Sequence, residues 1–241
     1  AATALIQLGQ HAHGSHDQQQ ARKYYREALT KIDEATHPLL AAETYTLLGR
    51  VLTDTAQRRT QSIVAAQNAL RIYTRVGEKY QAGMVANSIG YRYWRLAVYD
   101  SALVYYTKAL EIRKQLPQID QLAKTTNNLG VVYYNTGNYE LALEYYLQAM
   151  KLHEENGDLR SLSLVLSNIG RAYQDWHRPV EAMQHFRDAL VMGSSIENNT
   201  AMGYAYNNIG SLHESNGQYD SALVSYRLSL DKYTQGLHNE G

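Results

Sequence analysis

Six apolar-Gly pairs recur along the chain: Leu8-Gly9, Leu48-Gly49, Ile89-Gly90, Leu129-Gly130, Ile169-Gly170 and Ile209-Gly210. Their glycines lie 40, 41, 40, 40 and 40 residues apart. A second series keeps step with the first: Ala28-Leu29, Ala69-Leu70, Ala109-Leu110, Ala149-Met150, Ala189-Leu190 and Ser229-Leu230. The offset between the two series is 19 residues except after Gly49, where it is 20, which places one extra residue in the turn near "TAQRRT". Two phase-locked series mean one supersecondary unit used repeatedly, and a unit of this size buries its apolar stripe only by stacking on its neighbours.

Within a unit the apolar spacing is helical. Tyr139, Ala142, Leu143, Tyr146, Ala149 and Met150 fall at i, i+3, i+4 and i+7, on one face. Leu122, Thr126, Leu129, Val132 and Tyr133 form a matching stripe just before them. Between the stripes, "NTGNY" supplies Gly137 to end one helix and Asn138 to cap the next. Comparable punctuation stands at "SNGQYD" (215–220), "VYDS" (98–101) and "DWHRPV" (175–180), where Pro179 suits a first helical turn. Each unit therefore reads as two antiparallel helices.

Composition removes several function classes. The 241 residues are 44% hydrophobic, enough for a core, and 23 basic residues balance 23 acidic ones. Zero net charge argues against nucleic acid as the partner. Cysteine is absent, which excludes disulfides, thiolate zinc sites and cysteine nucleophiles and says nothing of compartment. No apolar run nears the roughly 20 residues that span a bilayer, so direct membrane insertion is not expected, and no signal segment opens the sequence. The 21 tyrosines against two tryptophans and one phenylalanine suit thin layers, where a ring is buried and its hydroxyl stays wet.

These residues resemble the tetratricopeptide repeat family. Leu129, Gly130 and Tyr133 match the first-helix signature, and Ala142, Tyr146 and Ala149 match the small, aromatic and small positions of the second helix. The same register gives Gly90/Tyr93/Ala102/Tyr106/Ala109, Gly170/Tyr173/Ala182/Phe186/Ala189 and Gly210/His213/Ala222/Tyr226/Ser229. His213, Ser229 and Leu52 depart from the pattern. A period near 40 is similar to the long-helix members seen in kinesin light chain, spindle-orientation adaptors and bacterial aspartate-phosphatase-type regulators. The resemblance implies an all-α fold: a right-handed superhelical solenoid of about six antiparallel hairpins. It implies one array over 1–241, with repeats near 1–36 (first helix shortened), 37–77, 78–117, 118–157, 158–197 and 198–237. No polar capping helix follows "LDKYTQGLHNEG", so the chain reads as a module cut from a larger protein or one with its tail removed.

The resemblance also implies a concave groove lined by first helices. Family binding positions lie two and three residues before the small residue and one, four and five after it. They fall on Asn87, Tyr91, Trp94 and Arg95 in the third repeat, and on Asn127, Asn128 and Asn135 in the fourth. In the fifth they include Asn168 and Arg171, and in the sixth Asn207 and Asn208. Helical geometry puts Asn128, Val131 and Asn135 on a face away from Leu129, Val132 and Tyr133. Asn128, Asn168 and Asn208 form a ladder at 40-residue steps, and an amide offers both donor and acceptor to an extended peptide backbone. The plainer alternative is that these amides only join neighbouring helices. Arg50, Arg95, Lys124 and Arg171 add positive charge to this face, against Glu43, Asp54, Asp175 and Glu214. Tyr91 and Trp94 are candidate anchors, or else inter-repeat packing.

Other motifs carry less. His11, His13 and His16 in "HAHGSH" lack a metal-ligand pattern, so no metal or cofactor is expected. Asn198-Asn199-Thr200 matches a glycosylation acceptor without a secretory setting. No phosphate loop, Gly-x-Ser-x-Gly or His-Glu-x-x-His is present, so no enzyme is expected. The expected function is a non-enzymatic protein-interaction scaffold that binds a peptide or helix of a partner. The alternatives are a sensory module of a larger kinase or transcription regulator, and self-association through an uncapped end.

Overall fold

A computed structural model describes residues 1–52 and 55–239. Asp54, one of the acidic residues weighed above, lies outside them. Among the described residues there are twelve α-helices and no strand. They form two compact units, 1–117 and 118–241. The first holds α1 (Ala2–Gly14), α2 (Gln18–Thr30), α3 (Pro38–Arg50), α4 (Ala56–Val76), α5 (Lys79–Arg95) and α6 (Tyr99–Arg113). The second holds α7 (Ile119–Asn135), α8 (Tyr139–Asn156), α9 (Leu159–Asp175), α10 (Pro179–Ser195), α11 (Asn199–Ser215) and α12 (Tyr219–Asn239). In each unit consecutive helices pair as hairpins, and each hairpin packs on the next. None of the helices in the described residues is long and apolar enough to cross a membrane.

The hairpins close on one repeated contact. A Cβ added to Gly9, Gly90, Gly130, Gly170 or Gly210 would stand 2.4–2.7 Å from the ring of Tyr25, Tyr106, Tyr146, Phe186 or Tyr226 respectively. Each ring comes from the second helix of the hairpin and stands directly against the glycine of the first. Tyr25, Tyr106, Tyr146 and Phe186 are almost fully enclosed, and burial pushes the Tyr106 and Tyr146 phenols well above their ordinary range. A second aromatic layer stacks across three hairpins: Tyr93 on Tyr105, Tyr133 on Tyr145 and Tyr173 on His185, with centroids 5.4–5.6 Å apart. Ser229, where the pattern has alanine, is buried and its Oγ donates to the Gly203 carbonyl at 2.9 Å, so the hydroxyl is satisfied.

Outside the α3–α4 hairpin, the turns inside the hairpins share one geometry. After α7, Gly137 adopts φ 76°, its N–H donates to the Tyr134 carbonyl and the Asn138 N–H donates to that of Tyr133. Asn138 then caps α8 by accepting from the Leu141 N–H at 3.2 Å. Gly217 repeats this turn with φ 73°, but Ala97 and His177 hold the same left-handed conformation with side chains, at φ 55° and 58°. A non-glycine residue there costs about 1–2 kcal/mol. Ala97→Gly is therefore expected to raise stability in urea by about 0.5–1 kcal/mol, and Gly137→Ala to lower it by about 1 kcal/mol.

A titratable group is built into the core of the second unit. His153 on α8 is buried, its Nδ1 has no hydrogen-bond partner among the described residues, and Asp158 Oδ2 stands 3.6 Å away. Burial pushes its pKa below the ordinary imidazole range and outweighs the opposing pull of Asp158; burial lowers His185 in the same way. The unfolded chain takes up these protons near about pH 6.5, the folded chain only at lower pH. Stability is therefore present above about pH 6.5 and lost as pH falls below it. Denaturation midpoints are expected to decline from about pH 6.5 to 5, with a shallower decline in His153→Leu.

Candidate functional site

The first helices of the second unit, α7, α9 and α11, carry the predicted amides. Asn127, Asn128, Asn168 and Asn208 are half-buried, while Asn135 and Asn207 are exposed. Asn168 Nδ2 donates to Asn127 Oδ1 at 3.1 Å, bridging α9 to α7. The bridge continues along the same two helices. Arg171 lies over the Tyr134 ring at 5.1 Å and donates from Nη2 to its hydroxyl at 3.2 Å, and that hydroxyl donates to the Asp175 carboxylate. Burial and the bond to Asp175 push the Tyr134 phenol up. Between α9 and α11, Gln174 Nε2 donates to Ser211 Oγ at 3.2 Å. Asn135, Asn207 and Asn208 make no side-chain hydrogen bond among the described residues. Part of the amide row thus joins neighbouring helices, and part stands open on the same face. Lys124 pairs with Asp120 at 3.5 Å, both exposed, and Glu214 accepts from the Tyr226 hydroxyl at 2.6 Å.

In the first unit, Arg50, Tyr91 and Arg95 line one cavity of about 300 Å³. Tyr91 is exposed and Arg95 reaches over its ring at 5.9 Å. Trp94 stacks beside Tyr91, half-buried, with its Nε1 enclosed and unpartnered among the described residues. Asn87 is half-buried on α5. The cavity exists because the second hairpin breaks the pattern twice. The helices α1, α5, α7, α9 and α11 each end five residues beyond their glycine, whereas α3 ends at Arg50, one residue beyond Gly49. Where the other hairpins supply a ring, this one has Ala65 and Ala66.

Arg92 from the next hairpin enters the vacated place. Its Nη2 lies 3.7 Å from the Cβ position of Gly49 and 3.4 Å from that residue's carbonyl oxygen. Its Nε donates to Ser62 Oγ at 2.8 Å, its Nη1 donates to Ser88 Oγ, and Ser62 Oγ donates to the Gly49 carbonyl at 2.7 Å. Burial, then the charge on Arg50, lowers the pKa of the Arg92 guanidinium. Sequence reasoning passed over this residue. The signal was its register: two residues after the glycine, four of the other five repeats carry the buried Val51, Val132, Ala172 and Leu212, and the first carries the exposed His11.

The remaining candidates are placed as follows. His11 and His13 lie on the last turn of α1, and His13 Nδ1 pairs with Gln18 Oε1 at 3.2 Å. His16 sits in the turn with φ 63°. Asn198 caps α11 by accepting from the Ala201 N–H at 3.0 Å, so its side chain is already engaged.

Paired helices locked by a glycine and a ring, with polar rows on the first helices, define a helical-hairpin repeat protein. Sequence models of the tetratricopeptide repeat match residues 84–116, 121–192 and 203–231, and the chain belongs to that family. Comparison with curated protein sequences gives no match. Solved structures with the same fold include BtubC from P. vanneervenii, at 16% identity over 96% of this chain and 92% of that one, with TM-score 0.74. The apo form of RapI is similar at 16% identity, over 100% and 99% of the two chains, with TM-score 0.74. A STAND signal-transduction ATPase with a tetratricopeptide repeat sensor, from Pyrococcus horikoshii, is similar at 15% identity and TM-score 0.81. That similarity covers 99% of this chain and 38% of the ATPase.

The amide bridge has a measurable coupling. In a double-mutant cycle of Asn127→Ala and Asn168→Ala, urea denaturation is expected to give a favourable coupling of about 0.5–1 kcal/mol.

Proposed function

We propose that this chain is a non-enzymatic protein-interaction scaffold and that its first-helix faces bind a peptide or helix of a partner protein. One observation carries the reading: a row of amides on α7, α9 and α11 in which Asn168 is held by Asn127 while Asn207 and Asn208 make no side-chain hydrogen bond among the described residues. Side chains fixed before binding lose little entropy when a ligand arrives, and free amides supply donor and acceptor together. In the first unit the binding residues are Arg50, Asn87, Tyr91, Trp94 and Arg95; in the second, Lys124, Asn128, Asn135 and Arg171 complete the set.

A second reading has support from one comparison. The chain matches 38% of the length of an ATPase whose repeats are described as a sensor, which favours a sensory module of a larger signalling protein. There the same faces would take the ligand, and its binding would be passed on to further domains.

A partner recovered with the intact chain is expected to bind the double variant Asn128→Ala/Asn168→Ala at least tenfold more weakly by calorimetry, with far-UV circular dichroism unchanged. Equal affinity for both proteins overturns the assignment of this face.

A further inference from the structure

The cavity between the shortened end of α3 and the last turns of α5 holds more positive charge than the fold requires. Among the described residues no carboxylate pairs with Arg50, Arg92 or Arg95. The bonds that seat Arg92 go to two serine hydroxyls and a backbone carbonyl, all neutral. An arginine set in a core register, beside a second arginine, is a costly arrangement when only neutral groups offset it. The same register is filled by the buried Val51, Val132, Ala172 and Leu212 in four of the other five repeats and by the exposed His11 in the first, so packing between hairpins asks for no charge here.

We propose that this cavity binds a phosphoryl group, either as free phosphate or as a phosphate monoester. A monoester carries about −1.5 to −2 charges near neutral pH and three acceptor oxygens. Arg59 lines the cavity as well and makes an interaction of its own; a phosphoryl group matches the guanidinium groups of Arg50, Arg92 and Arg95 better than a carboxylate does, with one charge and two oxygens. Guanidinium forks suit phosphoryl oxygens in geometry and are less strongly hydrated than ammonium groups. Arg92 forms the floor and is held in orientation by Ser62 and Ser88, which leaves its remaining N–H groups for a ligand. Arg50 and Arg95 are exposed at the mouth, where they can close on the bound group. Leu52 and the Tyr91 ring line the same cavity of about 300 Å³ and offer an apolar wall to the carbon side of an ester. The cavity shares Arg50, Tyr91 and Arg95 with the proposed partner-binding residues, whereas the amides of α7, α9 and α11 belong to the other unit, so variants of the two sets separate the two assignments.

The test uses the whole chain in a low-salt buffer without phosphate. Calorimetry is run with inorganic phosphate, phenyl phosphate and phenylacetate, the last keeping the ring and replacing phosphoryl by carboxylate. Saturable one-to-one binding is expected for at least one phosphoryl probe, with phenylacetate at least tenfold weaker. Arg92→Leu, which installs the residue found at 212, and Arg95→Gln are each expected to weaken binding at least tenfold, while Asn128→Ala/Asn168→Ala leaves it unchanged. Tighter binding of phenyl phosphate than of phosphate assigns the site to an ester; the reverse assigns it to the free ion. No saturable binding, equal affinity for phenylacetate, or undiminished affinity in the arginine variants overturns the proposal. Should Arg92→Leu fail to fold, the exposed substitutions Arg50→Gln and Arg95→Gln decide the question alone.

Discussion

The glycine-against-ring contact is the constraint from which the rest of each unit follows. Glycine inside a helix costs about 0.5–1 kcal/mol relative to alanine. Here that cost lets an aromatic side chain stand directly against the neighbouring helix, and burying such a side chain returns about 1.5–3 kcal/mol. The exchange is favourable only while the hairpin keeps its register, because a Cβ on Gly130 would stand 2.6 Å from the Tyr146 ring. One contact therefore sets the separation of the two helices, their rotation about their own axes and the phase of every other residue. It explains why the first-helix polar rows recur at 40-residue steps: the ring fixes the inner face, and the outer face is then fixed as well.

The second hairpin shows what happens when that contact is absent. Ala65 and Ala66 remove the ring, and α3 ends a turn early. The space does not simply collapse. Gly49 meets Ser62 and the Arg92 guanidinium in place of a ring, so a polar group from the following hairpin stands in for an aromatic one from its own. A hydrogen-bonded guanidinium fills shape as a ring does, but it brings a charge with which no carboxylate among the described residues pairs. The chemistry that the regular hairpins exclude is thereby admitted at one place, beside residues already on the first-helix face.

The architecture was legible because it rests on repetition. The glycine series, the alanine series and the one-residue slip after Gly49 are all visible in the sequence, and the turn at Gly137 and Asn138 has the expected geometry. What could not be read was how a residue is used once the frame is set. Nothing local marks Ala97 and His177 as left-handed; they adopt that conformation because the turn between two fixed helices demands it, whatever residue stands there. Helical spacing puts the asparagines on the first helices, but whether an amide bonds to its neighbour or stays open depends on a side-chain position one helix away. Asn168 reaches Asn127, which lies 41 residues earlier, and no periodicity of 40 predicts that diagonal.

Arg92 is the sharper case, because there the frame itself concealed the residue. Candidate binding residues lie at positions that helical geometry directs outward, and Arg92 occupies one that it directs toward the neighbouring hairpin. Compared column by column among the repeats that pack on a preceding hairpin, its position holds valine, alanine and leucine apart from Arg92, a local conflict between residue and environment; in the first repeat it holds the exposed His11. Conflicts of that kind are retained in natural sequences where they serve something other than packing. The same comparison shows Ala65 and Ala66 in the column of rings, one hairpin earlier. Two departures that are separate in the sequence meet in space, one opening a cavity and the other charging it. In a repeat protein the regular columns therefore report the fold, and adjacent irregular ones mark where a distinct surface chemistry has been built.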